Sequence, residues 1–447
     1  MAISIRAVAA HTLAEFHRRD GYSNAVLDEL LGRDTFLMMD RALLSRLFYG
    51  VIERQMTLDF LLSKCSSTPV KKMHPLVRET LRVATYQLVY MDRIPPSAAV
   101  NEAVAAVRQL KQAHAAGFVN GVLRAVTRKK DELLAQLPET DEGLSIRHSC
   151  PIEWIAFWRK AYGDARMREM LNSLNEEAPE YVRFNTLLGD ENEWLKTIED
   201  LGITYEKVPH LPSAFRLKCA YLLNQLETEQ KNWYYYQDIA SQWAIVALDP
   251  QPDERVADVC AAPGGKSFTA AQRMENRGEI LSCDVYAHKC ETMAERAKQY
   301  GISVMHTRVR DAAQPCTPEH RAAFDRVLCD VPCSGLGVIR RKPEIRYRSV
   351  ESIADLPKLQ YEILERSAEM VRPGGVLQYS TCTLNPAENE QVAERFLREH
   401  PEFSKRILPI PPVFEALGVP PGHMVTLFPS VHGSDGFFLA GFVKNEV

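Results

Sequence analysis

The chain has 447 residues, of which 46% are hydrophobic and 25% are charged, a composition typical of a soluble globular protein with about three domains. No run of ~18 apolar residues occurs, which excludes a membrane-spanning helix. The net charge of −4 is unevenly distributed, because Met1–Lys130 carries 19 Lys/Arg against 11 Asp/Glu, or +8, and the remainder carries −12. A basic region joined to an acidic one indicates contact with a polyanion. A helical surface of unequal charge explains the numbers equally well.

The first residues, MAISIRAVAAHTLAEFHRR, lack the compact apolar core and the cleavage site of a signal peptide. They predict a first helix, with a transit peptide as the alternative. The ten cysteines are scattered, with no C-x-x-C pair and no Cys/His cluster at zinc-ligand spacing. This usage predicts reduced thiols in a cytoplasmic protein and no structural metal.

Apolar residues in the first third recur at helical spacing. Leu43–Val51 and Val77–Leu88 each place an apolar stripe along one helix face. Ile94–Ser97 interrupts the pattern, and Ser97 is predicted to cap the next helix. An all-helical domain is therefore expected over residues 1–136.

The polar, acidic segment Leu137–Pro151 is predicted to be a linker. It leads into a small α/β domain at residues 145–235, which opens with a helix containing Trp154 and includes a short strand at Tyr181–Leu187.

Strands and helices alternate over residues 236–447, which predicts a mostly parallel, doubly wound sheet. The predicted strands are Val256–Cys260, Glu279–Asp284, Ser303–Val309, Arg326–Asp330, Gly375–Thr381 and Phe437–Val443. The predicted helices are Gly265–Met274, His288–Tyr300, Leu359–Val371 and Glu388–His400. Ligands of such sheets bind at the carboxyl ends of the strands.

A glycine-rich segment, DVCAAPGGKS, follows the first of these strands at Asp258–Ser267. Its glycines let backbone N–H groups approach a ligand, but it matches neither G-x-G-x-x-G nor a Walker loop, so an NAD site is disfavoured. Asp284 lies 20 residues after Gly264 and ends the next strand, where a carboxylate suits the hydroxyls of a ribose. A helix cap is the alternative role for Asp284. A cofactor with a ribose and no pyrophosphate fits this pattern, and S-adenosylmethionine is the natural candidate.

Two cysteines follow two further strands, Cys333 in DVPCSG and Cys382 in STCT. Buried cysteines are common core residues, but this order and these flanking residues favour covalent chemistry on a base. A thiolate that adds to carbon 6 of cytosine makes carbon 5 nucleophilic enough to accept a methyl group. Asp330 is expected to be a protonated carboxyl that faces ring nitrogen 3, or else a cap for the turn before Pro332.

These segments, together with YQDIASQ at Tyr236–Gln242 and HGSDGFF at His432–Phe438, resemble the Sun/Fmu family of RNA cytosine-5 methyltransferases. The stretch Pro96–Val126 resembles the RNA-binding antitermination factor NusB. A NusB-like domain joined to such a methyltransferase is the arrangement of bacterial family members that modify 16S rRNA. The resemblance implies a NusB-like helical RNA-binding domain at 1–136, a small α/β linking domain at 145–235 and a Rossmann-like methyltransferase domain at 236–447.

The resemblance also implies roles for single residues. Cys382 is the nucleophile that forms a covalent bond with the RNA, and Cys333 takes part in releasing the methylated product. Lys266 and Asp330 complete the catalytic set. The residues implied to bind S-adenosylmethionine are Cys260, Ala261, Ala262, Pro263, Gly264, Gly265, Lys266, Asp284, Asp311 and Asp330.

The segment Gly337–Arg348 departs from the pattern of the family, with Lys342 and Tyr347 where relatives often have His and Trp. It also holds five basic residues close to Cys333, which are expected to contact phosphates around an extruded base. These are Arg340, Arg341, Lys342, Arg346 and Arg348. A solvated basic loop is the alternative.

The leading hypothesis is a cytoplasmic, monomeric enzyme that uses S-adenosylmethionine to make 5-methylcytosine in 16S rRNA, before or during assembly of the small subunit. Two alternatives remain: a tRNA cytosine-5 methyltransferase, and a non-catalytic RNA-binding or antitermination factor. The complete set of Lys266, Asp330, Cys333 and Cys382 argues against the non-catalytic alternative.

Overall fold

The computed structural model describes residues 3–19, 21–33, 36–409, 415 and 418–446. The chain forms two compact units. The first contains Met1–Glu176 and Ile339–Val350, and the second contains Glu177–Val338 and Glu351–Val447. Among the described helices, none combines the length and the apolar character needed to cross a membrane.

The first unit is helical, as its apolar stripes predict. Two clusters of buried side chains form its core, one around Leu44–Ile52 and the other around Val77–Leu88. Its helices are α1 (Ile5–Arg19), α2 (Ser23–Arg33), α3 (Met38–Glu53), α4 (Gln55–Cys65), α5 (Pro75–Tyr90), α6 (Pro96–Gln109), α7 (Ala116–Ala135), α8 (Asp141–His148) and α9 (Ile152–Ser173).

Two local predictions in this unit are wrong. Helix α6 begins at Pro96, so Ser97 lies inside its first turn and does not cap it. A proline is favoured at the first helical position because its φ suits the helix and its missing N–H would have no partner there. The polar segment predicted as a linker contains helix α8, which Thr140 caps by accepting from the N–H of Gly143 and which ends at Ser149 with φ of 50°.

The segment Ile339–Val350 belongs to the first unit although it follows Cys333 in the chain. The side chain of Arg346 is fully buried, with a relative exposure of 0%. Its guanidinium donates to the carbonyl oxygens of Glu53 (2.9 Å), His148 (3.3 Å) and Leu174 (3.1 Å), and to Oδ1 of Asn175 (3.1 Å). The expectation that Arg346 contacts RNA phosphates is therefore wrong, because these acceptors use the donors that a phosphate would need.

Further contacts fasten the same segment. The hydroxyl of Tyr347 donates to the carbonyl oxygen of Ile52 at 2.7 Å, and the indole N–H of Trp154 donates to the carbonyl oxygen of Arg348 at 3.1 Å. Tyr347, one of the departures from the family pattern, is thus a structural residue in this unit.

The second unit begins with a small antiparallel sheet in the strand order β2-β3-β1-β4. Its strands are β1 (Glu180–Phe184), β2 (Thr204–Lys207), β3 (Ala214–Lys218) and β4 (Tyr234–Tyr236), and helix α10 is Glu191–Asp200. Trp194 on α10 is fully buried against Phe184 and Phe215, with ring centroids 5.5 and 5.3 Å away. This core confirms a small α/β element between the helical part and the larger sheet.

The larger sheet has the strand order β10-β12-β9-β8-β5-β6-β7, and β11 also pairs with β12. Its strands are β5 (Arg255–Asp258), β6 (Glu279–Asp284), β7 (Met305–Val309), β8 (Phe324–Asp330), β9 (Val371–Thr381), β10 (Phe403–Lys405), β11 (Met424–Leu427) and β12 (Phe437–Lys444). The accompanying helices are α11 (Ile239–Leu248), α12 (Gly265–Arg273), α13 (Ala287–Gln299), α14 (Leu356–Ala368) and α15 (Glu390–Glu399). Strands β5 to β9 are parallel and β12 is antiparallel, which confirms the predicted fold class.

One boundary in this sheet differs from the prediction. The helix predicted at Leu359–Val371 ends at Ala368, and the strand predicted at Gly375–Thr381 starts at Val371, so that Pro373–Gly375 lies inside β9. Gly374 has φ of 73°, a conformation that glycine adopts without steric cost. The register of β8 against β9 shifts at the same level, between Phe324 and Arg326.

The strand order reverses between β5 and β8, since β6 and β7 lie on one side of β5 and β9 lies beyond β8. Ligands of open α/β sheets bind at such a switch point, outside the carboxyl ends of the strands. The site is therefore expected where Asp258 and Asp330 end these two strands.

Replacing the buried guanidinium of Arg346 tests its structural role. We expect Arg346→Met to destabilise the first unit by about 3 kcal/mol, because buried carbonyl oxygens lose their donors. Thermal unfolding followed by circular dichroism measures the change. Arg128→Ala is the control, because Arg128 is exposed on α7 and its loss is expected to cost under ~0.5 kcal/mol. Equal midpoints for the two variants would contradict this account.

Candidate active site

Cys333 and Cys382 lie together because the strands before them are neighbours. Strands β8 and β9 pair in parallel with Asp330 opposite Ser380, so both chains leave the sheet at the same edge. The two sulfur atoms are 3.2 Å apart, and neither cysteine forms a disulfide. The sequence therefore predicted two thiols that do meet, although they are separated by 49 positions.

The two sulfur atoms are not equivalent. The hydrogen bond with Cys382 raises the pKa of the Cys333 thiol well above its usual value, and burial and the Glu388 carboxylate raise it further. Either sulfur atom can donate the hydrogen bond between them. The Lys266 ammonium interacts electrostatically with Cys382.

Asp330 forms an ion pair with Lys266, with Oδ2 and Nζ 2.8 Å apart. Its other oxygen accepts from the hydroxyl of Ser380 at 2.7 Å. Burial alone would lower the pKa of Lys266, but the Asp330 carboxylate outweighs it and the pKa is raised. The prediction of a protonated Asp330 is wrong for this geometry, because an ion pair requires the carboxylate.

The glycine segment turns from β5 into α12. Gly264 has φ of 103° immediately before the helix, and a Cβ there would lie 2.5 Å from the ring of Phe268, so only glycine fits. A Cβ on Gly265 would approach Nε2 of Gln237 to 3.4 Å. That amide nitrogen is buried and has no hydrogen-bond partner, and the same is true of Oδ1 of Asp258. Two unsatisfied polar atoms, one donor and one acceptor, fit a loop that binds a polar nucleoside cofactor.

Asp258 was not among the predicted site residues. It has a relative exposure of 2%, and its Oδ2 accepts from the hydroxyl of Ser267 at 2.8 Å. Burial raises the pKa of Asp258 to about 7. Its signal in the sequence is a charged residue that ends a buried strand just before the glycine loop.

Asp284 and Asp311 lie after neighbouring strands. Oδ1 of Asp284 accepts from the N–H of Tyr286 at 3.0 Å, so the residue shapes the turn before α13 without being its N-cap. Oδ1 of Asp311 accepts from the N–H of Ala313 at 3.0 Å. Val285 and Val309 are each 54% exposed, and Val309 lies opposite Asp284 in the sheet. Apolar surface beside a strand-end carboxylate suits a nucleoside, whose base is flat and whose ribose is polar.

Among the described residues, no three His, Cys, Asp or Glu side chains come together as a metal site.

A parallel sheet with a glycine loop at its switch point and two thiols at its carboxyl edge defines a Rossmann-like group-transfer enzyme. Residues 245–443 match the family model of the 16S rRNA methyltransferase RsmB/F. Residues 3–128 match the NusB family, and residues 135–223 match the ferredoxin-like domain of the RsmF/B-like methyltransferases.

Similarity to curated proteins extends over the whole chain. A probable ribosomal RNA small subunit methyltransferase B of Synechocystis is 34% identical, with 99% of this chain and 100% of that protein aligned. A protein of the same name from Bacillus subtilis is 33% identical, with 99% of both chains aligned. The crystal structure of PH0851 superposes with a TM-score of 0.82 at 25% identity, covering 99% of this chain and 100% of that one.

The chain belongs to the 16S rRNA methyltransferase RsmB/F family. It is an enzyme that transfers a methyl group from S-adenosylmethionine to carbon 5 of a cytosine in small-subunit rRNA, as the sequence predicted. The predicted resemblances to the Sun/Fmu family and to NusB are confirmed.

The raised pKa of Asp258 predicts a pH dependence of stability. A carboxyl whose pKa is higher in the folded state stabilises the fold fully below about pH 4 and loses that contribution as the pH rises through about 7. Asp258→Asn removes this loss, so the variant is expected to gain about 2.5 kcal/mol of stability relative to the wild type between pH 5 and pH 8. Thermal unfolding at the two pH values measures the difference. The control Asp253→Asn alters an exposed carboxylate, and a gain of the same size there would contradict the assignment.

Proposed function

We propose that Cys382 attacks carbon 6 of the target cytosine and that Cys333 assists release of the methylated product. The observation that carries this assignment is the 3.2 Å contact between the two sulfur atoms, together with the raised pKa of Cys333. A thiol that retains its proton is a poor nucleophile, whereas its hydrogen-bond acceptor is an activated one.

The ion pair of Lys266 and Asp330 is suited to cytosine. A carboxylate only accepts hydrogen bonds and an ammonium only donates them. Cytosine offers one donor, its amino group, and two acceptors, ring nitrogen 3 and the carbonyl oxygen. We propose that Asp330 accepts from the amino group and Lys266 donates to the acceptors. Uracil would place an oxygen against Asp330 and leave a buried acceptor unpaired, which sites of this kind reject strongly.

In the proposed reaction, addition to carbon 6 is followed by methyl transfer to carbon 5 and by elimination. The Cys382 thiolate forms a bond to carbon 6, and the electron pair of the 5,6 double bond shifts toward carbon 5 and the ring nitrogen that Lys266 faces. S-adenosylmethionine supplies the methyl group that carbon 5 accepts. Removal of the proton from carbon 5 restores the double bond, and Cys382 leaves as a thiolate.

We propose that Cys333 takes that proton. Its pKa is raised chiefly by the hydrogen bond with Cys382, which is lost once Cys382 is bonded to carbon 6. The thiol then loses its own proton to solvent more readily and becomes a base for carbon 5. The base thus becomes active only after the nucleophile has reacted.

For the cofactor, we propose that the loop Cys260–Lys266 holds the methionine part of S-adenosylmethionine. Asp284 binds the ribose through Oδ2, and the exposed Val285 and Val309 contact the adenine. We propose that Asp311, the next carboxylate, which follows β7, also contacts the cofactor.

The substrate is proposed to be 16S rRNA before or during small-subunit assembly, because the target base must be unstacked and extruded to reach two partly buried thiols. We propose that the enzyme is cytoplasmic, where its rRNA substrate is, and that it works as a monomer, since the two thiols, Lys266 and Asp330 meet within a single chain.

The two thiols are distinguished by the adduct each variant forms. Cys382→Ala is expected to abolish turnover and to form no RNA adduct, because carbon 6 is never attacked. Cys333→Ala is expected to accumulate a protein–RNA species that survives denaturing gel electrophoresis, because the attack proceeds and release is slow. The reverse pattern would exchange the two roles, and full activity in both variants would remove covalent catalysis by these thiols.

RNA contact by the basic helical unit is tested through salt. Arg124 and Arg128 lie one turn apart on an exposed face of α7. Replacing both with alanine should weaken rRNA binding and flatten the log–log salt slope by about 1 per lost phosphate contact. The matched control Arg296→Ala/Lys298→Ala removes the same charge from α13. Identical slopes for the two double variants would show that the charge of α7 is unrelated to RNA.

A further inference from the structure

The side chain of Glu388 is fully buried, with a relative exposure of 0%, and lies in the loop between β9 and α15. Its carboxylate accepts four hydrogen bonds. The donors are the N–H of Ser334 (2.9 Å), the hydroxyl of Ser334 (2.5 Å), Nε2 of Gln360 (2.8 Å) and Nδ2 of Asn385 (2.8 Å). A buried carboxylate is tolerated only with such partners, so Glu388 organises the groups around it.

Two of these donors fix the backbone on both sides of Cys333. Ser334 follows Cys333 directly and gives Glu388 both its N–H and its hydroxyl. Gln360 bridges to the other side, because its Nε2 also donates to the carbonyl oxygen of Pro332 at 2.9 Å. The position of Cys333 is therefore set by Glu388 from both directions.

The same network reaches Cys382. The hydroxyl oxygens of Ser334 and Thr383 are 2.6 Å apart. Asn389, next to Glu388, accepts from the hydroxyl of Thr381 at 2.6 Å and donates to the carbonyl oxygen of Thr383 at 2.9 Å. Both neighbours of Cys382 are thus tied to the residue beside Glu388.

We propose that Glu388 is a positioning residue that holds Cys333 at the distance and orientation from Cys382 needed to release the methylated RNA. The proposal rests on the function proposed above for the two thiols. It adds that product release depends on a residue that touches neither the RNA nor the cofactor.

The charge of Glu388 has a second effect on Cys333, separate from the positioning by hydrogen bonds. It is one of the causes that raise the pKa of Cys333, after the hydrogen bond with Cys382 and burial. The other titratable group on this side is Tyr379 on β9, whose hydroxyl donates to the carbonyl oxygen of Glu388 at 2.5 Å. Glu388 thus keeps the proton on Cys333 while Cys382 is still unreacted.

The test compares Glu388→Gln with Glu390→Gln. Glutamine keeps the size of the side chain but turns two acceptor lone pairs into donors that face Ser334. Glu390 is the matched control, because it lies two residues away at the start of α15 and accepts only from the hydroxyl of Thr426 at 3.1 Å among the contacts described. We expect Glu388→Gln to prolong the protein–RNA adduct about tenfold and to lower kcat in proportion, with KM for RNA and the amplitude of the first turnover unchanged. Glu390→Gln should match the wild type.

A double variant shows whether Glu388 acts through Cys333. In the Cys333→Ala background, Glu388→Gln should add no further adduct lifetime, because the group that it positions is already absent. The proposal would be overturned if the two substitutions multiplied each other's effect on the adduct lifetime. It would also be overturned if Glu388→Gln alone had the same adduct lifetime as Glu390→Gln. Absence of adduct in Cys333→Ala alone would instead refute the roles given to the thiols.

Two further measurements decide the case where Glu388→Gln folds poorly or the thiol roles fail. Ser334→Ala removes one donor to the carboxylate and should lengthen the adduct lifetime in the same direction, by a smaller factor. Alkylation of Cys333 by iodoacetamide, read by peptide mass spectrometry in protein without RNA, should reach its half-maximal rate at lower pH in Glu388→Gln than in Glu390→Gln. An unchanged alkylation profile would overturn the positioning role, whatever the kinetic result.

Discussion

The parallel pairing of β8 with β9 is the constraint on which the active site depends. Because parallel strands end at the same edge, Asp330 and Ser380 lie opposite each other, and the thiols that follow them meet at 3.2 Å. The sheet can bring the two loops together but cannot fix their irregular backbone, whose polar groups need partners. Glu388 and Asn389 supply those partners, so the separation of the sulfur atoms is set by a buried polar network built on a pair of strands.

The charges at the carboxyl edge of this sheet are mostly negative. Carboxylates stand at or just after four strand ends, at Asp258, Asp284, Asp311 and Asp330. Lys266 pairs with Asp330 at 2.8 Å, and Lys289 pairs with Asp284 at 3.8 Å. S-adenosylmethionine carries a positive sulfonium, and a negative edge favours that ligand over its neutral product. The Lys266 ammonium interacts electrostatically with Cys382 and favours negative charge on its sulfur, which suits the nucleophilic role proposed for that residue.

The elements that the sequence predicted well are those whose signal is local. The strand Glu279–Asp284 has the predicted bounds because its apolar run ends at a charged residue. Helix α8 was not predicted because it is short and polar, and β9 starts at Val371 instead of the predicted Gly375, with Gly374 at positive φ inside the strand. The candidate site residues could be picked out because cysteines and aspartates stand at or after strand ends and a lysine follows the glycine loop. The role of Glu388 was not, since nothing in NPAENE distinguishes a buried carboxylate with four donors from a solvated one.

Arg346 is a second residue whose role could not be predicted, because its charge is visible in the sequence but its burial is not. Five basic residues near Cys333 in the chain were interpreted as phosphate contacts because position along the chain was the only guide. The structure assigns that segment to the helical unit, where the guanidinium of Arg346 is buried and donates to main-chain carbonyl oxygens and one amide. A positive charge counts toward an RNA surface only if it keeps its donors free, which burial decides and composition does not. Whether the net charge of +8 on the first 130 residues serves RNA binding therefore has to be judged from exposed residues such as Arg124 and Arg128. The segment after Cys333 connects that helical unit covalently to the loop that carries the thiol.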